Sequence, residues 1–112
     1  MPGRFLAEFE LYVMLAIAQL GDEAYGARVR QEIERRTSRP VSIGALYATL
    51  ARLESKSLLT LRTAKSEPSQ RGRARRYCRL TPRGTAAMRH SATMLTRMMD
   101  GLELRPRGSK SS

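Results

Sequence analysis

The chain has 112 residues, with 21 Lys or Arg against 10 Asp or Glu, for a net charge of +11. That length allows one domain with a modest core, near the size at which oligomerisation helps stability. The charge points to a polyanion, nucleic acid ahead of an anionic membrane surface. A single cysteine excludes an intrachain disulfide.

Charge is unevenly spread. Residues 62–83 carry eight basic groups against one acidic group, whereas residues 1–24 carry one against four. The most apolar stretch, "LYVMLAIA" at 11–18, is far short of the ~20 residues that span a bilayer. The start of the chain also lacks the pattern of a secretory leader. A soluble, cytoplasmic chain is expected.

Residues 5–20, "FLAEFELYVMLAIAQL", read as a helix, with Leu6, Phe9, Val13, Ala16 and Leu20 on one stripe. Leu11, Tyr12, Met14, Leu15 and Ala18 leave little polar face, so this helix needs cover on both sides. In a domain this small, a second subunit is the expected source of one cover. "GDEA" breaks the pattern, and Asp22 is read as the cap of a second helix over 24–36, with Tyr25, Val29 and Ile33 inward. Pro40 disfavours helical geometry at Arg39 and ends it. Ser42 reads as the N-cap of a third helix over 43–56, buried along Leu46, Leu50 and Leu53. Its other face carries Gly44, Tyr47, Ala48, Ala51 and Arg52, too few charges for a helix that faces only water.

Two β segments follow. "LLTLRT" at 58–63 and "RYCRLT" at 76–81 alternate, and the stretch between them is rich in Ser, Pro, Gly and Arg. An antiparallel hairpin with a long tip is expected. Cys78 falls within the alternation as a small buried hydrophobe. Thr81-Pro82 supplies an N-cap and a proline at the first helical position of a fourth helix reaching about 103. Met88, Ala92, Leu95, Met99 and Leu102 recur at spacings of 4, 3, 4 and 3, a coiled-coil rhythm. "RPRGSKSS" has the composition of a disordered tail.

The fold class expected is mainly α with a small β-hairpin: a winged helix-turn-helix over 1–81, a dimerisation helix over 82–104, and a basic tail over 105–112. The third helix would enter the major groove, and "SQRGRARR" would be the wing. Gly72 gives the wing backbone freedom to turn, while Arg71 and Arg73 reach phosphates or the minor groove. The dimer face is assigned to Leu6, Phe9 and Val13 of the first helix and to Met88, Ala92, Leu95, Met99 and Leu102 of the fourth.

"AYGARVRQEIERRTSRPVSIGALYATLARLESKSLL", followed by "RGRARRYCRLTPRGTAAM", resembles the PadR transcriptional regulators, in particular their compact branch with one C-terminal helix. The pieces that carry the resemblance are the "GALY.TL.RLE" core and the "GR.RRY.RLT..G" junction, within about residues 6–103. The resemblance implies a homodimeric bacterial DNA-binding repressor, with the first and fourth helices making the dimer contact. Carried onto this chain, it implies DNA-facing positions at Ser42, Gly44, Ala45, Tyr47, Thr49 and Arg52, with Arg71, Gly72 and Arg73 on the wing. The resemblance implies that relatives of this type usually carry glycine where Ser57 stands, and serine in left-handed geometry would be costly there. Compact relatives that trap flat drugs use a tryptophan on the last helix, and this chain has none.

Enzymatic chemistry finds no partners. Catalysis needs positioned groups, and one His with one Cys cannot complete a tetrahedral zinc site. His90 lies off the apolar seam and is read as a surface residue, and Met94, Met98 and Met99 as interface packing. No cofactor and no membrane contact are expected. The partners expected are double-stranded DNA and a second copy of the chain, with a small-molecule effector left open. The alternative function is a basic nucleoid or RNA-associated protein without sequence choice. A protein-interaction module whose winged helix has lost DNA binding is the third.

Overall fold

The computed structural model describes residues 6–65 and 74–103. In chain order it comprises α1 (Glu8–Leu20), a 3-10 turn (Gly21–Glu23), α2 (Gly26–Thr37), α3 (Ile43–Ser55), β1 (Leu59–Lys65), β2 (Ala74–Leu80) and α4 (Pro82–Met99). The first three helices enclose a core of Val13, Met14, Ile17, Val29, Ile33, Leu46, Leu50 and Leu53, closed from the hairpin side by Leu59 and Cys78. This is a mainly helical winged-helix fold with a two-stranded antiparallel hairpin.

Local chemistry starts the helices. The Ser42 hydroxyl accepts the Ala45 N–H at 3.0 Å, so it caps α3 as its place before an apolar run requires. The Thr81 hydroxyl accepts the Gly84 N–H at 2.9 Å, with Pro82 at the first position of α4. Glu10 accepts the Ala7 N–H at 3.0 Å and closes the first turn of α1.

Long-range contacts decide the rest. Asp22 does not cap α2: it lies in the 3-10 turn, and Tyr25 takes the cap position without a side-chain bond. The cause is a third, one-residue strand. Tyr25 bridges Tyr77, and the Cys78 N–H donates to the Ala24 carbonyl at 2.7 Å. Residues 24 and 25 are thereby held out of the helix, so α2 begins at Gly26.

The hairpin pairs Leu59 with Leu80 and Arg62 with Tyr77. Its base is joined to α4 where Thr81 donates its hydroxyl to the Ser57 carbonyl at 2.7 Å and its N–H to the Leu58 carbonyl at 3.1 Å. Gly84 sits so close to this junction that a Cβ there would run into the Leu58 carbonyl oxygen. Ser57 has φ 63°, the left-handed geometry that is costly for serine.

Two further expectations are corrected. Val13 is fully buried in the core of its own chain, packed among residues of α2 and α3, and cannot contribute to an outer face, whereas Leu6 and Phe9 of the same stripe are only partly buried. The fourth helix stops at Met99, since Asp100 leaves helical geometry and Gly101 has φ 87°. Leu102 is exposed beyond the helix end, so the 4-3-4-3 rhythm outruns the helix. The first turns of α4 pack on the core through Ala87 and Met88. Its distal part leaves Leu95, Met98 and Met99 exposed.

Candidate nucleic-acid interface

The outer face of α3 is made of small groups. Gly44, Ala45, Ala48, Ala51 and Ser55 are exposed, while Leu46, Leu50 and Leu53 point inward. Such a face lets a helix backbone come close to whatever it meets. Thr49 does not belong to it. At 2% exposure it is buried, one turn from Leu46 and Leu53, and its hydroxyl accepts Arg52 Nη2 at 3.1 Å. Its expected DNA-facing role is therefore corrected to an internal one.

Tyr47 lies on one flank of this face, half-buried. Its hydroxyl reaches the start of α2, where it occupies the space a Cβ on Gly26 would need. Arg76 of β2 stands over its ring, 6.0 Å from the centroid. Arg52 lies on the opposite flank, its side chain 53% exposed and its Nε 3.4 Å from Glu10 Oε2. Lys56 Nζ donates to the same oxygen at 3.0 Å. Glu10 is thus a buried carboxylate on α1 that holds two cations of the α3 C-terminal end.

The hairpin carries a second cationic surface. Arg62 lies over the Tyr77 ring at 5.1 Å, Tyr77 meets Tyr25 edge to face with centroids 5.5 Å apart, and Arg75 covers Tyr25 at 4.3 Å. Each guanidinium carbon lies over a phenol ring as a cation–π contact, and a hydrogen bond with Tyr77 further favours the charged form of Arg75. The expected wing-tip residues Arg71, Gly72 and Arg73 lie outside the described residues.

Of the expected DNA-facing positions, the structure gathers Ser42, Gly44, Ala45, Tyr47 and Arg52 around one exposed surface of α3. Sequence reasoning missed Glu10 and Lys56, and took Arg75 and Arg76 only as part of the wing run without their partners. For Glu10 a signal existed, a carboxylate inside an otherwise apolar helix, which demands buried partners. For Arg75 and Arg76 the signal was their alternation about the strand, one toward Tyr25 and one toward Tyr47.

The remaining polar groups are quiet. Burial pushes the Cys78 thiol up to about 11, so it stays protonated at neutral pH. His90 is exposed on α4. Among the described residues, no three His, Cys, Asp or Glu side chains gather as metal ligands, and no helix is long and apolar enough to cross a membrane.

Comparison with known proteins agrees with this geometry. Residues 14–90 match the transcriptional regulator PadR-like family. Over 67 residues the chain is 45% identical to the transcriptional regulator Rv3488 of Mycobacterium tuberculosis, a match covering 60% of this chain and 58% of that protein. Among solved structures, a PadR-like transcription factor from Bacteroides fragilis is 26% identical with TM-score 0.66, covering 80% of this chain and 82% of that one. A PadR family regulator from Eggerthella lenta is 28% identical with TM-score 0.63, covering 83% and 82%. F93 from STIV, a winged-helix DNA-binding protein, shares the fold at 16% identity, with TM-score 0.67 and coverage of 88% and 98%.

Proposed function

Because this chain belongs to the PadR-like family of transcriptional regulators, we propose that it is a cytoplasmic homodimeric repressor that binds an inverted-repeat operator. Helix α3 enters the major groove, and the hairpin lies along the flanking backbone as the wing. The observation that carries this reading is the outer face of α3: small groups at its centre, Tyr47 under Arg76 on one flank and Arg52 on the other. A backbone can approach base edges there while guanidinium groups meet phosphates on either side.

In this reading Ser42, Gly44, Ala45, Tyr47 and Arg52 face the duplex, joined by Arg71, Gly72 and Arg73 at the wing tip and by Arg75 and Arg76 at its root. Leu6 and Phe9 of the α1 region and Met88, Ala92, Leu95 and Met99 of α4, with Leu102 beyond it, form the contact between protomers. Pairing about a two-fold axis sets two α3 helices one DNA turn apart, ~34 Å.

Selection of bound fragments from the source genome tests it, followed by gel shift against random duplex. A regulator retains a specificity ratio of ~10³ or more over random DNA. Equal affinity for the selected and random duplexes would instead establish the alternative, a basic nucleic-acid coat without sequence choice.

A further inference from the structure

Ile43 is the first residue of α3, immediately after the Ser42 cap, and the residue is 56% exposed. The other large exposed hydrophobic residues among the described positions lie on α1 or in the region from Leu95 to Leu102. A large apolar side chain left in water is the informative kind of exposure. Here it sits where a recognition helix meets base edges, at its N-terminal end.

Its neighbours cannot read hydrogen-bond patterns at length. Gly44, Ala45 and Ala48 are the exposed residues of the next turns. The Ser42 hydroxyl accepts the Ala45 N–H and keeps a single O–H to donate, and the Tyr47 hydroxyl is turned to Gly26. No amide, carboxylate or guanidinium side chain projects from residues 42–48. Beyond that one hydroxyl, discrimination from this segment must use shape and apolar contact. The major-groove edges of the four base pairs offer one apolar group, the C5-methyl of thymine.

From these observations, and resting on the DNA-binding reading above, we propose that Ile43 is a specificity-determining residue that packs on the C5-methyl of a thymine in each half-site. The small residues beside it let the helix settle deep enough for a four-carbon side chain to reach that methyl. The surroundings suit a polyanion better than an apolar protein surface: Arg39 is exposed four residues before Ile43, and Arg76 covers Tyr47 one turn after it.

The test replaces each operator thymine in turn by uracil, symmetrically in both half-sites, which deletes the methyl and nothing else. Affinity is measured for the wild type, Ile43→Val and Ile43→Ala. One methyl removed from contact is worth about fourfold, so a symmetric pair is worth roughly 15-fold. At one thymine position the wild type loses affinity by that factor, Ile43→Val by less, and Ile43→Ala is indifferent. Circular dichroism shows the same helix content in all three proteins. The inference is overturned if no thymine responds, or if Ile43→Ala pays the same uracil penalty as the wild type. Wild-type protein that binds no duplex at all would overturn the DNA-binding reading itself and this inference with it.

Discussion

The Glu10 carboxylate in the first turn of α1 accepts a hydrogen bond from Lys56 Nζ, just past the end of α3, at 3.0 Å. The same oxygen faces Arg52 Nε at 3.4 Å, and the other oxygen holds the Ala7 N–H. Burial works to raise the pKa of Glu10, but the bond from Lys56, the Ala7 amide and the two positive charges outweigh it and hold the group below its ordinary 4.5.

Glu10→Gln therefore costs stability at neutral pH. Fully buried pairs lose ~3–5 kcal/mol when broken, and about 1–3 kcal/mol is expected here because Arg52 and Lys56 keep access to water. The sign with pH follows from the depressed folded value: the contribution is complete above the unfolded pKa and disappears as pH falls through the folded one. Urea midpoints of the wild type and Glu10→Gln should differ at pH 7 and draw together as the pH falls below 4.5 and the folded carboxylate takes up its proton. A gap that stays constant throughout that fall in pH would show that the ion pairs are not its source.

Gly84 and Gly44 make opposite predictions. A Cβ at Gly84 meets the Leu58 carbonyl oxygen, a backbone atom that cannot swing aside, whereas a Cβ at Gly44 meets nothing. Gly84→Ala should cost about 2 kcal/mol and lower the melting temperature by about 10 °C. Gly44→Ala should stabilise the helix by up to ~1 kcal/mol, yet weaken operator binding by pushing α3 away from the base edges. Thermal melts and gel shifts on the same two proteins separate the effects. If Gly44→Ala binds DNA as the wild type does, close approach of α3 at that residue is refuted.

What could be read from sequence was the local chemistry. Ser42 and Thr81-Pro82 announce helix starts because a cap bonds to an amide three residues away. The hairpin alternation and the fourth helix were legible for the same reason. Features set by distant partners were not. Whether α2 began at Ala24 or Gly26 depended on Tyr77, which bridges Tyr25. Helical spacing put Val13 on an apolar stripe, but not which side of α1 would meet α2 and α3. Thr49 is a short polar residue between two buried leucines, and its burial became intelligible only with the Arg52 bond in view. Glu10 was visible as an anomaly, yet its partners lay in another helix.

Ser57 offers a gain of stability. Its φ of 63° is left-handed, a geometry that costs a non-glycine residue roughly 1–2 kcal/mol. Glycine removes that cost but loosens the unfolded chain, which returns part of it. Ser57→Gly should stabilise by about 0.5–1 kcal/mol, read as a higher urea midpoint at unchanged slope. The Ser57 carbonyl that accepts the Thr81 hydroxyl belongs to the backbone and is retained.

The wing is tested through salt. Each phosphate neutralised on duplex DNA contributes about −0.9 to the log–log salt slope. If Arg71 and Arg73 of each protomer meet phosphates, their double alanine variant should flatten the slope of a dimer by roughly 3 to 4 units. Arg76→Ala, which uncovers the Tyr47 ring, should flatten it by about 2 more. A slope indifferent to all three would place the hairpin away from the backbone.

The last prediction concerns assembly. Leu95 is 51% exposed, Met98 78% and Met99 44%, along the part of α4 that projects beyond the core, and Leu15 is exposed on α1. Burying one such side chain is worth roughly 1.5–3 kcal/mol, so several left in water are a substantial loss for a domain stable by about 5–15 kcal/mol. A second copy of α4 can cover this strip and bring its own Leu95 and Met99 to be covered in return, the self-complementary contact of a two-fold dimer. Leu95→Asp with Met99→Lys places charge in that contact without touching the core formed by α1, α2 and α3. The wild type should sediment as a dimer at micromolar concentration, and the double variant as a folded monomer with its helical circular dichroism retained. Loss of the second half-site should then cost ~10²–10⁴ in operator affinity, the effective-concentration advantage of two linked contacts. A wild-type monomer of 12.6 kDa that still binds an inverted repeat tightly would refute dimerisation as the basis of recognition.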